Sequence, residues 1–352
     1  MRDGRYHIRN FTLPELEEWV QRLGEKRYRA RQIFQHLYVR NVSSWDACTD
    51  LSKSFRAKLE AITIFDALVL KKEFCSSDGT RRFVFELRDG YQIESVFIPD
   101  PPRYTLCVSS QVGCPLGCAF CYTGSLGYRR NLTAGEIIEQ YSQVRRALGS
   151  KPRITNIVFM GMGEPLLNEK ELYRSLAIFL DSRGVSFSHR RITVSTVGII
   201  PAMRRLGESY PVNLAVSLHA PTDELRNELV PINKRYPLSE LIRACREYPL
   251  PRRKRITFEY VLLKGVNDSE FHARKLVSLL APIRCKVNLI PFNPFPGSSF
   301  ERPSEERILA FQRVLLDCNI TTTIRTSRGL DILAACGQLA GNLDAREDLR
   351  QW

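Results

Sequence analysis

The chain lacks any run of eighteen apolar residues, so no membrane-spanning helix is expected. Its first residues, Met1-Arg-Asp-Gly-Arg5, lack the apolar stretch of a secretory signal. Low-complexity tracts and short repeats are also missing. These gaps predict a cytoplasmic protein with its ten cysteines mostly reduced, any disulfide being transient and catalytic. A further gap is chemical. Cys114, Cys118 and Cys121 stand at C-x3-C-x2-C, yet no His or Cys follows at zinc-finger spacing, and the next cysteine is Cys245. The fourth ligand of a structural zinc site is thus absent locally.

What is present bounds the class. The 352 residues are 43% hydrophobic and 26% charged, which supports a sizeable core and two or three domains. The formal charge of +14 is uneven: residues 1–100 carry a net of +2 and residues 101–352 a net of +12. That balance suits a polyanionic partner such as RNA, although a solvated basic surface explains charge alone equally well.

Periodicity divides the chain. Residues 13–60 show helix spacing, with Leu16, Trp19 and Val20, then Ile33, Phe34, Leu37 and Tyr38, facing inward. Such basic helices fit a grip on phosphates or a packed cap. Between 66 and 99 the period becomes two, with turn signals at Ser77-Asp-Gly79 and Asp89-Gly90, which predicts a small antiparallel sheet. Pro99, Pro101 and Pro102 are expected to end it as a linker. From 104 to 328, seven strand candidates alternate with helices near 134–148, 169–183, 222–230, 238–248, 270–281 and 304–318. Thr133 with Glu136, and Asn168 with Glu171, match a capping pattern. Strict alternation predicts an α/β fold with a parallel sheet closing into a barrel or partial barrel. The expected domains are a helical RNA-binding-like unit at 1–62, a β extension and linker at 63–100, a core at 101–341 and a tail at 342–352.

Beside Gly113 and Gly117, spacings of three and two let three thiolates turn inward onto one point, and three thiolates suit a soft metal site, iron–sulfur or zinc. A cubane needs four iron ligands, so three cysteines leave one iron open to a small chelating ligand. Buried free cysteines are the bland alternative; three within eight residues argue against it. The stretch through Phe120 and Cys121 resembles the radical S-adenosylmethionine (SAM) signature. In that superfamily SAM chelates the open iron and is cleaved to a 5′-deoxyadenosyl radical.

In barrels of parallel strands, function gathers where the strands end. Met160-Gly-Met-Gly-Glu164-Pro165 ends the second strand. Its glycines would admit a ligand to the backbone edge, and its Glu would hold a ribose hydroxyl or an ammonium; a tight turn reads the same alone. Ser195, Ser217-Leu218-His219, Asn267-Asp268 and Asn293 end later strands, where each could equally be a cap. Cys107 and Cys336 stand apart from the cluster loop. An unpaired Cys can be a nucleophile and two can form a catalytic disulfide, but spacing pairs neither. Cys48, Cys75, Cys245, Cys285 and Cys318 read as filler.

Cys107-Val-Ser-Ser-Gln-Val-Gly-Cys114, Phe159-Met-Gly-Met-Gly-Glu-Pro-Leu166, Ser217-Leu-His-Ala220, Val230-Pro-Ile-Asn233, Asn288-Leu-Ile-Pro-Phe-Asn-Pro-Phe-Pro-Gly297 and Ala335-Cys-Gly-Gln-Leu-Ala-Gly341 resemble the RlmN family of dual-specificity RNA adenine-C2 methyltransferases. The resemblance is strong over about residues 90 to 341 and loose over the N-terminal helices. It implies a partial (β/α)6 barrel with an N-terminal helical domain and a small antiparallel extension. It implies a 4Fe–4S cluster on Cys114, Cys118 and Cys121, with SAM held by Gly163, Glu164, Ser195, Ser217, Leu218, His219 and Asn293. Two SAM molecules would serve each turnover, one methylating Cys336 and one generating the radical that activates that methyl group. The activated carbon would join adenine C2, Glu94 would remove the C2 proton, and Cys107 would release the base by forming a disulfide with Cys336. On residue pattern alone Glu94 is merely a polar position on a strand. The implied partners are 23S rRNA, tRNA and an electron donor such as a flavodoxin or ferredoxin, and a monomer is expected. The sister C8-methylating type, Cfr, shares the cluster and both extra cysteines; a radical SAM enzyme acting on protein, or a zinc-stabilised RNA-binding module, would use fewer of these motifs.

Overall fold

The computed structural model describes residues 4–149, 152–251 and 253–340; the expected tail at 342–352 lies outside them. Helix α1 (Leu13–Arg22) starts in a Thr12–Glu15 capping box with proline in its first turn, which satisfies amides that the helix cannot. It buries Leu16, Trp19 and Val20. Helices α2 (Tyr28–Gln35) and α3 (Lys53–Ile62) bury Ile33 and Phe34, and Phe55 and Leu59. A π-turn, His36–Arg40, buries Leu37 and Tyr38.

The period-two segments become strands β1 (Leu68–Cys75), β2 (Arg81–Leu87) and β3 (Gln92–Asp100), antiparallel in sequence. The expected proline linker is not one. β3 runs through Pro99 to Asp100 and turns straight into β4 (Arg103–Cys107), with Asp100 opposite Arg103 in antiparallel register. Proline lacks an amide donor but tolerates a strand end and a turn, so the chain reverses there. The extension is therefore continuous with the main sheet.

From β4 onward the pairing within one ten-stranded sheet is parallel: β5 (Asn156–Phe159), β6 (Ile192–Thr196), β7 (Asn213–Ser217), β8 (Ile256–Leu262), β9 (Cys285–Pro291) and β10 (Thr322–Ile324) follow in order, while Gln111–Gly113 and Tyr128–Asn131 pair antiparallel outside it. The crossovers carry α4 (Ala134–Leu148), α5 (Glu169–Leu180), α6 (Ile200–Ser209), α7 (Asp223–Leu229), α8 (Leu238–Glu247), α9 (Glu270–Leu280) and α10 (Glu305–Asp317). The strand order is linear and does not close. A partial barrel of six βα units results, its core built by Ile157, Val194, Leu214, Val216, Phe258, Tyr260 and Leu289 at full burial or nearly so. Helix α6 was not among the expected helices.

The Thr133–Glu136 capping box forms, with Thr133 N donating to Glu136 Oε2 at 2.9 Å. The Asn168–Glu171 box does not. Asn168 Nδ2 donates to the carbonyls of Ser110 and Leu132 at 2.9 and 2.7 Å, and Glu171 accepts from Ala134 N at 2.9 Å. Both side chains lock the cysteine-loop region to its neighbours instead. The N-terminal helices pack as a cap on α4: Asn41 Nδ2 donates to Ser142 O at 3.0 Å, and His7 meets the buried Glu139 at 3.1 Å. Among the described residues no helix is long and apolar enough to cross a membrane.

Candidate active site

The three closely spaced cysteines sit between a short strand, Gln111–Gly113, and one helical turn, Tyr122–Ser125. The loop is pinned by Cys114 N donating to Gly127 O at 2.9 Å and Cys121 N donating to Cys118 O at 3.1 Å. Among the described residues, no three His, Cys, Asp or Glu side chains meet so as to hold one metal ion. The three thiols line one cavity, and a cubane, which takes each thiolate on a different iron, fits that donor set. Burial pushes the Cys114 thiol up to about 12 and raises Cys118 and Cys121 too, neighbouring cysteines adding to the effect at Cys114 and Cys118. Unbound thiolates would be costly there, and a cationic cluster would remove that cost.

All three cysteines line a cavity of about 160 Å³ at the ends of the parallel strands. Gly163, Glu164, Ser195, Ser217, His219, Asn293 and Cys336 share that lining. Leu218, Glu94 and Cys107 do not. Leu218 is fully buried in the core; its amide donates to Glu259 O and its carbonyl accepts from Arg226, each at 3.0 Å.

The glycines of Met160–Glu164 answer a packing demand as well as lining the cavity. A Cβ on Gly161 would sit 2.8 Å from Ser109 N, and one on Gly163 would sit 2.5 Å from Gln111 Cβ. They let β5 lie against the loop leading to the cysteines. Glu164 accepts from Val197 N at 2.9 Å and Leu166 N at 3.0 Å, and burial nevertheless pushes its carboxyl up to about 7. His219 adopts a left-handed backbone, φ 62°. Its Nδ1 accepts from Val261 N at 3.0 Å, which leaves Nε2 as the donor. Burial, with Arg226 nearby, depresses its pKa to about 3, so the ring is neutral.

Sequence reasoning missed two organisers. Arg226 is fully buried and donates to the carbonyls of Val197, Ser217 and Leu218 and to Asn233 Oδ1, at 2.6 to 3.1 Å. It binds the ends of β6 and β7 together. Arg325 lines the cavity with Glu259 and Cys336; the charge of Cys336 does most to raise its pKa, with Glu259 and Cys107 adding to it. A basic residue one strand-end before the Cys336 loop was the available signal.

The loop bearing Cys336 lies over the cavity. Asn293 Nδ2 donates to Cys336 O at 3.2 Å, Tyr122 N to Gly337 O at 2.8 Å and Thr123 Oγ1 to Leu339 O at 2.6 Å. Glu94, nearly fully buried, accepts from Arg82 at 3.0 Å and from Ala340 N at 3.4 Å. Cys107 ends β4 behind this loop; burial, with Cys336 adding to it, pushes its thiol up to about 12. The ten cysteines are all free thiols.

A cysteine-ringed cavity at the strand ends of a partial barrel is the arrangement of a radical SAM enzyme. The radical SAM superfamily model matches residues 108–274, and a ribosomal RNA large subunit methyltransferase N-terminal domain model matches residues 6–65. The dual-specificity RNA methyltransferase RlmN of Syntrophobacter fumaroxidans is 60% identical over 94% of this chain and 97% of its own length. That of Geobacter sulfurreducens is 51% identical over 97% and 94%. The crystal structure of a radical SAM methyltransferase from Sphaerobacter thermophilus superposes with a TM-score of 0.92 at 48% identity, covering 96% of this chain and all of that one. The chain belongs to the RlmN family of radical SAM RNA methyltransferases, not to the Cfr branch. The family implies a 4Fe–4S cluster and SAM.

Proposed function

We propose that this enzyme methylates C2 of adenosine both in the peptidyl-transferase centre of 23S rRNA and next to the anticodon of tRNA, passing the methyl group through Cys336. The dual-specificity names of its relatives support the two substrates. The observation that carries the covalent route is the shared lining: Cys336 faces the same cavity as Cys114, Cys118 and Cys121.

When bound, the cluster and SAM would supply one-electron bond cleavage, with it a hydrogen acceptor strong enough to activate a methyl group, and an acceptor for the one electron left over when the activated carbon joins C2 and the C2 proton leaves. Cys114, Cys118 and Cys121 would hold the cluster. Gly163, Glu164, Ser195, Ser217, His219 and Asn293 would hold SAM, with Leu218 supporting Ser217 and His219 from the core and neutral His219 offering its Nε2 proton. Two SAM molecules serve each turnover. The sulfur of Cys336 takes a methyl group from the first by displacement and presents it to the second. Adenine C2 is electron-poor and has no lone pair for ordinary displacement, so a carbon-centred carrier is needed. Glu94 accepts the C2 proton; Arg82 holds its carboxylate in place. Cys107 then attacks the sulfur of Cys336 as thiolate, and the base leaves with its new carbon, which takes up a proton. The electron the cluster would need would come from a donor such as a flavodoxin or ferredoxin, and the enzyme works as a cytoplasmic monomer.

The test is anaerobic incubation of iron-loaded enzyme with SAM, reductant and unmodified RNA, followed by mass spectrometry of the nucleosides. C2-methyladenosine is expected in both RNAs. A C8 product, or no methylated adenosine alongside abundant 5′-deoxyadenosine, sinks the reading.

A further inference from the structure

Apart from Arg82 and Glu94, the antiparallel extension has no part in the chemistry above, yet the tip of its first hairpin meets the segment that leads to Cys336. At the tip between β1 and β2, Ser76 Oγ donates to Asp331 Oδ1 at 2.6 Å and Ser77 N donates to Asp331 Oδ2 at 3.1 Å. In return, Gly329 N donates to Asp78 Oδ2 at 3.0 Å. Asp78 is itself held by Thr80 N at 2.8 Å. The fit is close: a Cβ on Gly329 would sit 2.9 Å from both Thr80 Cγ2 and Ala334 Cβ. Both carboxylates lie below their ordinary pKa, although burial alone would raise each; hydrogen bonds from Ser76 and Ser77 to Asp331, and from Thr80, Gly329 and Ser76 to Asp78, account for it.

We infer that this clasp is the fixed anchor from which the Cys336 loop is presented, so that Asp331 and Asp78 are positioning residues for the sulfur. The inference rests on the carrier role of Cys336 proposed above. That sulfur has to meet three partners in turn: a methyl donor, adenine C2 and Cys107. One rigid placement cannot serve all three, and a loose tail would find none quickly. The backbone supplies pivots between fixed ends. Leu333, a non-glycine residue at φ 51°, and Gly337 at φ 84° flank Cys336 on either side. Turning points of this kind absorb dihedral change where regular structure would not. Upstream the clasp holds residues 329–331; downstream Thr123 and Glu94 hold Leu339 and Ala340. Between these ends the segment rests on single bonds, Asn293 Nδ2 to Cys336 O at 3.2 Å, Tyr122 N to Gly337 O at 2.8 Å and Gln338 Nε2 to Pro294 O at 2.6 Å, which have to part for the sulfur to swing through a small arc over the cavity. Presentation within such an arc, in place of random search, is the advantage of orientation.

The experiment compares Asp331→Ala, Asp331→Asn and Ser76→Ala with wild type in the full-length, iron-loaded enzyme. Methyl groups delivered to RNA per 5′-deoxyadenosine formed give the coupling ratio. Asp331→Ala is expected to lower that ratio about tenfold while 5′-deoxyadenosine formation and iron content stay at the wild-type level. Asp331→Asn keeps one acceptor for Ser76 and should recover part of the loss. A second readout needs no turnover: the iodoacetamide alkylation rate of Cys336 should rise severalfold in Asp331→Ala, with Cys107 unchanged. An unaltered ratio with an unaltered alkylation rate overturns the anchor. So does a parallel fall in iron content, 5′-deoxyadenosine and melting temperature, which marks a merely structural tie. If wild type transfers no methyl group at all, the carrier role fails, and the alkylation rates still judge the clasp.

Discussion

Asn293 holds the carbonyl of Cys336 at 3.2 Å while Ser327 Oγ donates to its own Oδ1 at 2.6 Å. The residue that the family resemblance assigns to SAM is thus also a bracket for the carrier cysteine. Asn293→Ala should lower RNA methylation by about ten- to a hundredfold and slow Cys336 methylation in the absence of RNA. Peptide mass spectrometry of Cys336 after incubation with SAM checks this. Full methylation of Cys336 in the variant would confine Asn293 to the other role.

The two sulfurs separate by variant. Cys336→Ala should abolish methyl transfer to RNA, yet keep cluster assembly and reductive SAM cleavage. Cys107→Ala should leave RNA joined to Cys336, seen as a retarded protein band. Equal RNA methylation by the first variant, or no adduct with the second, would contradict the assigned roles.

Arg226 makes its bonds in full burial, so its loss is a stability event. Arg226→Met leaves the carbonyls of Val197, Ser217 and Leu218 without that donor. The expected cost is on the order of 3 kcal/mol, read from urea unfolding. Arg226→Lys should recover little, since one ammonium cannot span the three carbonyls.

His219 gives a pH dependence with a definite sign. Its folded pKa, about 3, lies below the unfolded value of 6.5. Below pH 6.5 the unfolded chain takes up a proton that the folded chain refuses. Stability from this group is full above pH 6.5 and declines as the pH falls toward 3. The slope contributed is about 1.4 kcal/mol per pH unit. His219→Gln should lack that component, as urea unfolding of the apoprotein between pH 6.5 and 4 would reveal. Matching slopes in both proteins would exclude it.

Much of this architecture was legible because periodicity reports burial. The seven parallel strands fall within the segments whose pattern predicts them, 104–111, 154–161, 191–197, 212–219, 256–263, 286–292 and 322–328, or one residue outside. Helix α6 escaped notice because Pro201 and Gly207 interrupt a pattern carried by Ile200, Met203 and Leu206. Pro201 sits in the first turn, where a missing amide does no harm. The prolines at 99–102 read as a linker because a one-dimensional pattern cannot tell a tight reversal from a break. Asn168 and Glu171 fit a cap by spacing, but their side chains found carbonyl and amide partners on other segments. The cysteine loop was readable from local spacing, whereas the approach of Cys107 to Cys336 depends on the whole sheet being assembled. Arg226 and Arg325 carry no motif; only burial among carbonyls, or beside thiols, reveals their use.

The clasp joins residues more than 250 positions apart, Ser76 and Asp331. During synthesis the sheet can assemble up to β10 while the last segment is still inside the ribosome, because domains fold as they emerge. A nascent chain at that stage has its cysteine loop but no sulfur carrier in place. Transfer competence therefore arrives only once the segment through Cys336 has emerged and Asp331 has met Ser76, and chains truncated before Asp331 should consume SAM without ever marking RNA.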